Sequence, residues 1–279
     1  MKKDTETAAE KQIKIKPKKR LGQNFLTETT VIDKLITAAA IEPNQTILEI
    51  GPGTGNLTEK LIGTGNKIMA IEKDPEMIAA LQTRFADKTN FELRRGDILE
   101  FDETTIEPPY KIAANLPFYL TGALIRKFLE SKNPPESMTV IVQKEVAQRV
   151  CAKTPDMNLL AAATQFYAKP ETISYVSKGC FWPAPKVDCA ILKLTPYPKT
   201  GERGDVKFVK NFFTLMKAGF SQPRKKIAGN IAIGLGLDKE TITNWLRVNS
   251  IDPGSRAERL TMAEWHNLTK SLPHIKDGN

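Results

Sequence analysis

Thr46-Ile47-Leu48-Glu49-Ile50-Gly51-Pro52-Gly53-Thr54-Gly55 is the stretch that decides the fold of this 279-residue chain. Its first half is β-branched and apolar, which predicts a buried strand at 46–50, and its second half is a glycine loop that opens a helix near Leu57. Glycines let the backbone turn sharply and let a ligand come close. A glycine loop between a strand and a helix therefore indicates a nucleotide-type cofactor site in an α/β domain.

Strand and helix patterns alternate on the C-terminal side of this loop, which predicts a parallel sheet with helices on both faces. Two later β-branched runs predict an antiparallel hairpin that closes the sheet edge and brings the total to about seven strands. After residue 197 the pattern becomes helical. The predicted strands are 46–50, 67–71, 91–95, 110–116, 138–142, 172–177 and 188–194; the predicted late helices are 206–220, 224–233, 238–248 and 261–272. The predicted organisation is a basic mobile arm at 1–20, a cofactor-binding catalytic domain at 21–197 and a small all-helical RNA-binding domain at 198–279.

Charge is unevenly distributed along the chain. Residues 1–20 hold 8 basic and 3 acidic side chains, residues 21–189 hold 18 and 21, and residues 190–279 hold 15 and 8. A nearly neutral middle between basic ends suits a small-molecule site flanked by surfaces that bind a polyanion, although lysine-rich ends could also serve solubility. No apolar run reaches the roughly 18 residues of a membrane helix and no signal peptide is evident, so a cytoplasmic protein without membrane contact is expected.

Metal and disulfide chemistry is not expected. Cys151, Cys180 and Cys189 are an odd number without metal-ligand spacing, and the two histidines lie together near the end of the chain. Each cysteine is expected to be a small core residue.

Two carboxylates in register with the glycine loop define the cofactor. Glu72 ends the second strand, 21 residues after Gly51, where a carboxylate can accept both ribose hydroxyls. Gly96-Asp97-Ile98 ends the third strand and places a carboxylate near an adenine amine and Ile98 against its ring. A dinucleotide would favour a Gly-x-Gly-x-x-Gly loop, whereas this loop reads Gly-x-Gly-x-Gly and no nicotinamide site follows. The pattern therefore favours S-adenosylmethionine.

Asn115-Leu116-Pro117-Phe118 lies at the end of the strand predicted at 110–116 and suits the exocyclic amine of a base. The Asn115 amide oxygen and a Leu116 carbonyl held by Pro117 can accept both amine hydrogens, and base stacking on Phe118 is worth about 1–3 kcal/mol. These four residues are the candidate catalytic group. By itself the stretch could simply end a strand, but its register with Glu72 and Asp97 favours chemistry.

With these residues in place, the chain resembles the KsgA-type adenine dimethyltransferases of small-subunit (16S) ribosomal RNA. The resemblance covers roughly residues 18–272 and rests on these stretches: Gly22-Gln-Asn-Phe-Leu26, 49–55, Glu72, Gly96-Asp97, 115–118, Phe181-Trp-Pro-Ala-Pro-Lys-Val187, 220–227 and Arg256-Ala-Glu258. It implies a class I S-adenosylmethionine-dependent methyltransferase fold, which is a Rossmann-like, seven-stranded, mostly parallel sheet.

The resemblance also implies a reaction and site residues. The reaction is dimethylation of two adjacent adenosines in the 3′-terminal hairpin loop of 16S RNA, within a small ribosomal subunit or its precursor, by a monomer that acts in ribosome biogenesis. The implied cofactor contacts are Asn24, Leu26, Gly51, Glu72, Asp97 and Asn115, to which the loop and strand-end patterns add Gly53 and Ile98. The implied RNA contacts are Phe118, Phe181, Arg224, Lys225 and Lys226. Phe181 is equally suited to a packed turn between prolines.

The chain departs from the family pattern at two positions, and each departure bears on an expected RNA contact. Phe118 stands where a tyrosine is frequent, which keeps a stacking face, and Pro223 stands where an arginine is frequent, which puts one RNA contact in doubt. Two other functions stay open: dimethylation of large-subunit RNA that confers antibiotic resistance, and a non-catalytic assembly or transcription factor on the same fold.

Overall fold

The computed structural model describes residues 17–18 and 21–273. The arm predicted at 1–20 therefore lies outside the described residues except for Pro17 and Lys18. Internal contacts group the chain into two compact units. The sheet unit runs to Lys144 and includes Ile173–Lys193, and the helical unit comprises Glu145–Thr172 and the described residues from Leu194 onward.

The elements are numbered in chain order. The sheet unit contains β1 Phe25–Leu26, α1 Thr29–Ala39, β2 Thr46–Ile50, α2 Asn56–Ile62, β3 Lys67–Glu72, α3 Pro75–Arg84, β4 Phe91–Arg95, β5 Tyr110–Asn115, α4 Thr121–Glu130, β6 Ser137–Gln143 and β8 Phe181–Trp182. The helical unit contains α5 Lys144–Val150 from its second residue, α6 Leu159–Tyr167, α7 Val206–Gly219, α8 Ile227–Leu235, α9 Lys239–Val248 and α10 Met262–Lys270. β7 Ala168–Val176 and β9 Cys189–Pro196 have residues in both units.

The main sheet has the strand order β4-β3-β2-β5-β6-β9-β7. β2 runs parallel to β3 and β5, β3 runs parallel to β4, and β5 runs parallel to β6. The seven-stranded, mostly parallel sheet confirms the predicted α/β fold. Since the carboxyl ends of parallel strands meet at one edge, the ends of β2, β3, β4 and β5 lie side by side.

The apolar strands form this fold because both faces of the sheet are covered. Ile47, Leu48, Ile112 and Val140 have no exposed side-chain surface. Each such side chain contributes about 1.5–3 kcal/mol when it leaves water. The near-continuous apolar runs read from the sequence are those of a parallel sheet buried on both sides.

Two helix starts are stabilised by side-chain caps. The Asp74 carboxylate accepts the N–H of Glu76 and Pro75 occupies the first turn of α3. Thr261 and Glu264 form a capping box at α10, with each side chain bonded to the other residue's backbone N–H. Among the described residues, no helix combines the length and hydropathy needed to cross a bilayer.

The helical unit has a core of its own, centred on Trp265, which is fully buried. Gly219 lies beneath the Trp265 ring, where an added Cβ would come within 2.4 Å of the indole. The Phe166 and Phe212 rings pack 4.3 Å apart between centroids. Phe166 belongs to α6, a helix that the sequence patterns did not predict.

The two late strands, β7 and β9, are hydrogen-bonded neighbours at one edge of the main sheet, where the sequence placed them. β9 lies between β6 and β7, so β7 forms the edge. The turn between them contains β8, which pairs antiparallel with β1. Contacts also group Glu145–Thr172 with the C-terminal helices, because α6 supplies Phe166 to their core. The single boundary predicted near 197 follows a change in pattern along the sequence, whereas the units follow packing.

Candidate active site

A cavity in the sheet unit opens at the carboxyl ends of β2 to β5. It brings together all of the predicted cofactor and catalytic residues: Asn24, Leu26, Gly51, Gly53, Glu72, Asp97, Ile98, Asn115, Leu116, Pro117 and Phe118. The roles of these residues stay predictions, but their convergence from five separate segments is a fact of the fold.

The glycine loop forms one wall of the cavity. Gly51, Gly53 and Gly55 all have positive φ, at 66°, 56° and 86°. This conformation costs glycine little and other residues much more. A Cβ on Gly53 would come 2.8 Å from the Phe25 ring, so the loop needs glycine there for space as well as for conformation.

Glu72 ends β3 beside this loop, and its carboxylate is held by backbone donors. Oε1 accepts the N–H groups of Lys73 and Asp74, both at 2.8 Å, and Oε2 accepts the N–H of Gly53 at 3.2 Å. Burial raises the pKa of Glu72, and these three donors oppose that rise. The carboxylate is thus fixed in position before any ligand arrives.

Asp97 follows β4 and pairs with a residue that the sequence reasoning did not single out. Lys73 Nζ lies 2.5 Å from Asp97 Oδ2, and the Leu99 N–H bonds to Oδ1 at 3.0 Å. These two bonds, the Lys73 bond foremost, lower the pKa of Asp97. Ile98 is buried beside it and also lines the cavity.

Asn115 closes β5 with its amide in a defined orientation. Nδ2 donates to the Asn24 carbonyl at 2.8 Å. Oδ1 is buried and accepts no hydrogen bond from any described residue. The Asn115 amide donates to the backbone and keeps its acceptor free, an arrangement that suits a ligand with N–H groups.

The residues after Asn115 carry the chain past the cavity. Leu116 N–H bonds to the Ile141 carbonyl at 3.3 Å, and the Pro117 carbonyl accepts the Leu120 N–H at 2.9 Å. Phe118 begins a short 3₁₀ turn and is half-buried, with part of its ring against the sheet-unit core. A flat apolar side chain and Asn115 therefore line the same cavity.

Glu49 is a cavity residue to which the sequence reasoning gave no role. It is 1% exposed, and burial, followed by repulsion from Glu72, raises its pKa to about 8. An acidic residue inside an otherwise apolar strand was the available indication. Tyr119, Asn56, Leu21 and Gly22 also line the cavity without having been predicted.

The structure places Phe181 away from the cavity, which corrects the expectation of an RNA contact. It is 4% exposed, pairs with Leu26 across β1 and β8, and packs in the core of the sheet unit. The packed turn that the sequence left open is the interpretation that fits. Its neighbour Trp182 is 51% exposed and stacks on Phe25.

Arg224, Lys225 and Lys226 lie in the helical unit, between α7 and α8, and are exposed. Lys225 and Lys226 line a separate groove within that unit, together with Gln222, Lys239 and Thr243. Asn230 supports this loop from below, since its Nδ2 donates to the Gly219 and Gln222 carbonyls at 2.8 and 2.9 Å. The basic triplet is thus presented on a fixed turn.

Comparisons with known proteins agree with this arrangement. A family model described as ribosomal RNA adenine dimethylase matches residues 14–274. A ribosomal RNA small subunit methyltransferase A of Dehalococcoides mccartyi strain CBDB1 is 44% identical over 257 residues, which are 91% of this chain and 88% of that protein. A protein of the same name from Alkaliphilus metalliredigens is 36% identical and covers 91% of each chain.

Two solved structures match over almost their whole length. A dimethyladenosine transferase from Plasmodium falciparum has a TM-score of 0.72 at 26% identity, over 90% of this chain and 99% of that one. The 23S rRNA methyltransferase ErmE has a TM-score of 0.73 at 22% identity, over 89% of this chain and 99% of that one, which is a likeness of fold.

Proposed function

The chain belongs to the ribosomal RNA adenine dimethylase family, and from this premise we propose that it dimethylates two adjacent adenosines in the 3′-terminal hairpin loop of small-subunit ribosomal RNA. As a member it is an S-adenosylmethionine-dependent methyltransferase with the class I fold, and its substrate is ribosomal RNA. The observation that supports adenine as the base and its amine as the methylated group is the buried Asn115 Oδ1, which has no partner among the described residues, with Phe118 lining the same cavity.

The cavity fits the cofactor by three features of its own. The loop at Gly53 leaves the space that a Cβ would fill, and Glu72 presents a fixed carboxylate. Three of the roughly four acceptor positions of that carboxylate are used by backbone N–H groups, so Oε2 is the oxygen that a ribose hydroxyl would reach. Asp97 and Ile98 provide an acceptor and an apolar surface for an adenine.

Bound in this cavity, S-adenosylmethionine supplies a methyl group activated by a sulfonium. The protein's part is to prepare the accepting nitrogen, because the lone pair of an adenine amine is delocalised into the ring. Asn115 Oδ1 and the Leu116 carbonyl accept the two amine hydrogens, which turns the lone pair out of the ring plane. Phe118 supports the base by stacking, so positioning and electrostatics carry the transfer, and the methylated nitrogen releases a proton afterwards without a strong base.

A target adenosine must leave its stack to enter the cavity, and a loop adenosine does so at low cost.

The RNA contacts are assigned to Arg224, Lys225 and Lys226, whose exposure and charge suit phosphate groups. Replacing all three with alanine should make the negative slope of log affinity against log salt shallower by up to about two, at roughly 0.7 per single-strand phosphate contact. Filter binding with a small-subunit RNA fragment across a salt series measures this slope. An unchanged slope would assign the contacts to other residues.

Methylation of isolated ribosomal subunits that lack the modification tests the function itself. Tritiated cofactor should label the small subunit, and mass analysis of the digested RNA should find dimethyladenosine at two neighbouring positions. Label in the large subunit alone would favour the antibiotic-resistance activity. Binding without any label would favour a non-catalytic assembly or transcription factor. A small-subunit precursor as the substrate, action as a monomer and a cytoplasmic location belong to the same proposal, and sedimentation of the enzyme with subunits tests the first two.

A further inference from the structure

Residues 21–26, which we call the strap, line one side of the cavity. Two carbonyls of the strap accept hydrogen bonds from side chains elsewhere in the sheet unit. The Leu26 carbonyl accepts Asn56 Nδ2 at 2.9 Å, and the Asn24 carbonyl accepts Asn115 Nδ2 at 2.8 Å. The orientation of the Asn115 amide therefore depends on where the strap lies.

Gln23 anchors the strap next to Asn24. Its Nε2 donates to Asp74 Oδ2 at 2.8 Å and its Oε1 accepts the Lys18 N–H at 2.7 Å. The Asp74 carboxylate is 1% exposed, and its other oxygen accepts Lys18 Nζ at 2.7 Å. The buried Asp74 carboxylate is held by Gln23, Lys18 and the Glu76 N–H, so it has little freedom to move.

Asp74 also reaches the opposite part of the site. Its backbone N–H is one of the two donors to Glu72 Oε1, and its side chain caps α3. One residue is therefore bonded both to the carboxylate that faces the cofactor and, through Gln23, to the strap that orients Asn115.

We infer that Gln23 and Asp74 are positioning residues for methyl transfer, because their hydrogen bond sets the Asn24 carbonyl that holds Asn115 Oδ1 toward the target amine. This inference rests on the proposed role of Asn115. Neither side chain touches the reacting atoms, so both act through the strap. A displaced strap leaves Asn115 Nδ2 without its acceptor, and the amide can then turn its donor toward the amine.

The charge state of Asp74 is consistent with this role. Burial alone would raise the pKa of Asp74, but the hydrogen bonds from Lys18 and Gln23 hold it below its ordinary value. The carboxylate is thus ionised at neutral pH. Hydrogen bonds to an ionised acceptor are roughly twice as strong as neutral ones, which suits a fixed anchor.

An exchange of the two polar groups tests the inference. Gln23→Glu sets a second carboxylate against Asp74 and should slow single-turnover methyl transfer about tenfold or more at saturating cofactor and RNA. The double variant Gln23→Glu with Asp74→Asn restores one donor and one acceptor in the same space and should return the rate to within about threefold of wild type. Asparagine caps a helix as well as aspartate does, so α3 is preserved.

Three further measurements separate positioning from stability. Gln82→Glu places the same change on an exposed position of α3 and should keep the wild-type rate. The KM for RNA should stay unchanged in Gln23→Glu while kcat falls, and the melting temperature should identify any loss of folding. If Gln23→Glu does not fold, Gln23→Ala replaces it, with an expected loss of about fivefold.

A wild-type rate in the Gln23 variant, or a double variant no faster than Gln23→Glu alone, would overturn the inference. Either result would leave the proposed function intact as long as the wild-type enzyme labels the small subunit. A wild-type enzyme that labels neither subunit would instead defeat the proposed function.

Discussion

Glu72 and Asn115 end the two strands that flank β2, yet the fold treats their oxygens in opposite ways. The oxygens of Glu72 are already bonded to three backbone N–H groups. The Asn115 oxygen is buried and has no partner among the described residues. One side of the cavity is thus satisfied in advance and the other is left incomplete.

The difference matches two kinds of work. A carboxylate that must hold a ligand in place benefits from being fixed before binding, because the cost of ordering it is met during folding. An acceptor that must assist a reaction does more when its bond strengthens as positive charge develops on the amine. Burying a neutral amide oxygen without a hydrogen-bond partner costs about 1–3 kcal/mol, whereas an unpaired buried carboxylate would cost far more.

The largest expected effect comes from removing the unpaired acceptor. Asn115→Ala should lower the rate of methyl transfer roughly 10²- to 10³-fold, the usual cost of losing one donor or acceptor aimed at developing charge. Binding of RNA should change little, because phosphate contacts supply most of that affinity. Single-turnover rates and filter binding on the same preparation test both statements. A variant that transfers methyl groups at the wild-type rate would remove Asn115 from the mechanism.

A change at Glu72, whose oxygens are already hydrogen-bonded, should weaken cofactor binding rather than slow methyl transfer. Glu72→Gln keeps the shape but sets an NH₂ group against backbone donors, so the dissociation constant for S-adenosylmethionine should rise roughly 10- to 100-fold. The rate at saturating cofactor should stay within a few-fold of wild type. Calorimetric titration gives the first quantity and saturation kinetics the second. A fall in rate as large as that of Asn115→Ala would erase the distinction between the two sides.

Much of this could be predicted from the sequence. The glycine loop, Glu72 and Asn115 follow strands whose apolar runs are long enough to recognise, and parallel strands necessarily bring their carboxyl ends together. The convergence of the cofactor residues follows from those local patterns.

The parts that were missed depend on pairing between distant residues. β1 and β8 are two residues each, too short to show a period, so nothing local indicated that Phe181 is buried against Leu26. Gln23 gains its partner only when the strap meets Asp74, 51 residues away. α6 was missed because its Leu-Leu-Ala-Ala-Ala run does not alternate apolar and polar residues at a helical period. The helix packs against other helices, which the sequence pattern alone does not show.

Glu49 offers a pH test of how the cavity tolerates a second carboxylate beside Glu72. Its pKa is raised from 4.5 to about 8, so the folded state keeps a proton that the unfolded state releases. Between those two values the free energy of unfolding should therefore fall as pH rises, by at most about 1.4 kcal/mol per pH unit, and be level again above the upper value. Glu49→Gln should lack this decline. Urea unfolding of both proteins at pH 5, 6, 7 and 8 measures it, and parallel curves would show that Glu49 is ionised in the fold.

The smallest expected effect tests whether the glycine loop helps to hold the Glu72 carboxylate in position. Gly53 and Gly65 both have positive φ, but a Cβ on Gly53 would meet the Phe25 ring at 2.8 Å, whereas nothing lies within 4 Å of one on Gly65. Alanine at either position has the same backbone strain, so the Gly53 variant should be less stable by a further ~1 kcal/mol from crowding alone. Its loop must also shift the N–H that bonds to Glu72 Oε2, and cofactor affinity should therefore weaken by several-fold in Gly53→Ala and remain normal in Gly65→Ala. Thermal unfolding and cofactor titration of the pair measure both effects. Equal affinities would mean that Lys73 and Asp74 hold Glu72 without help from the loop.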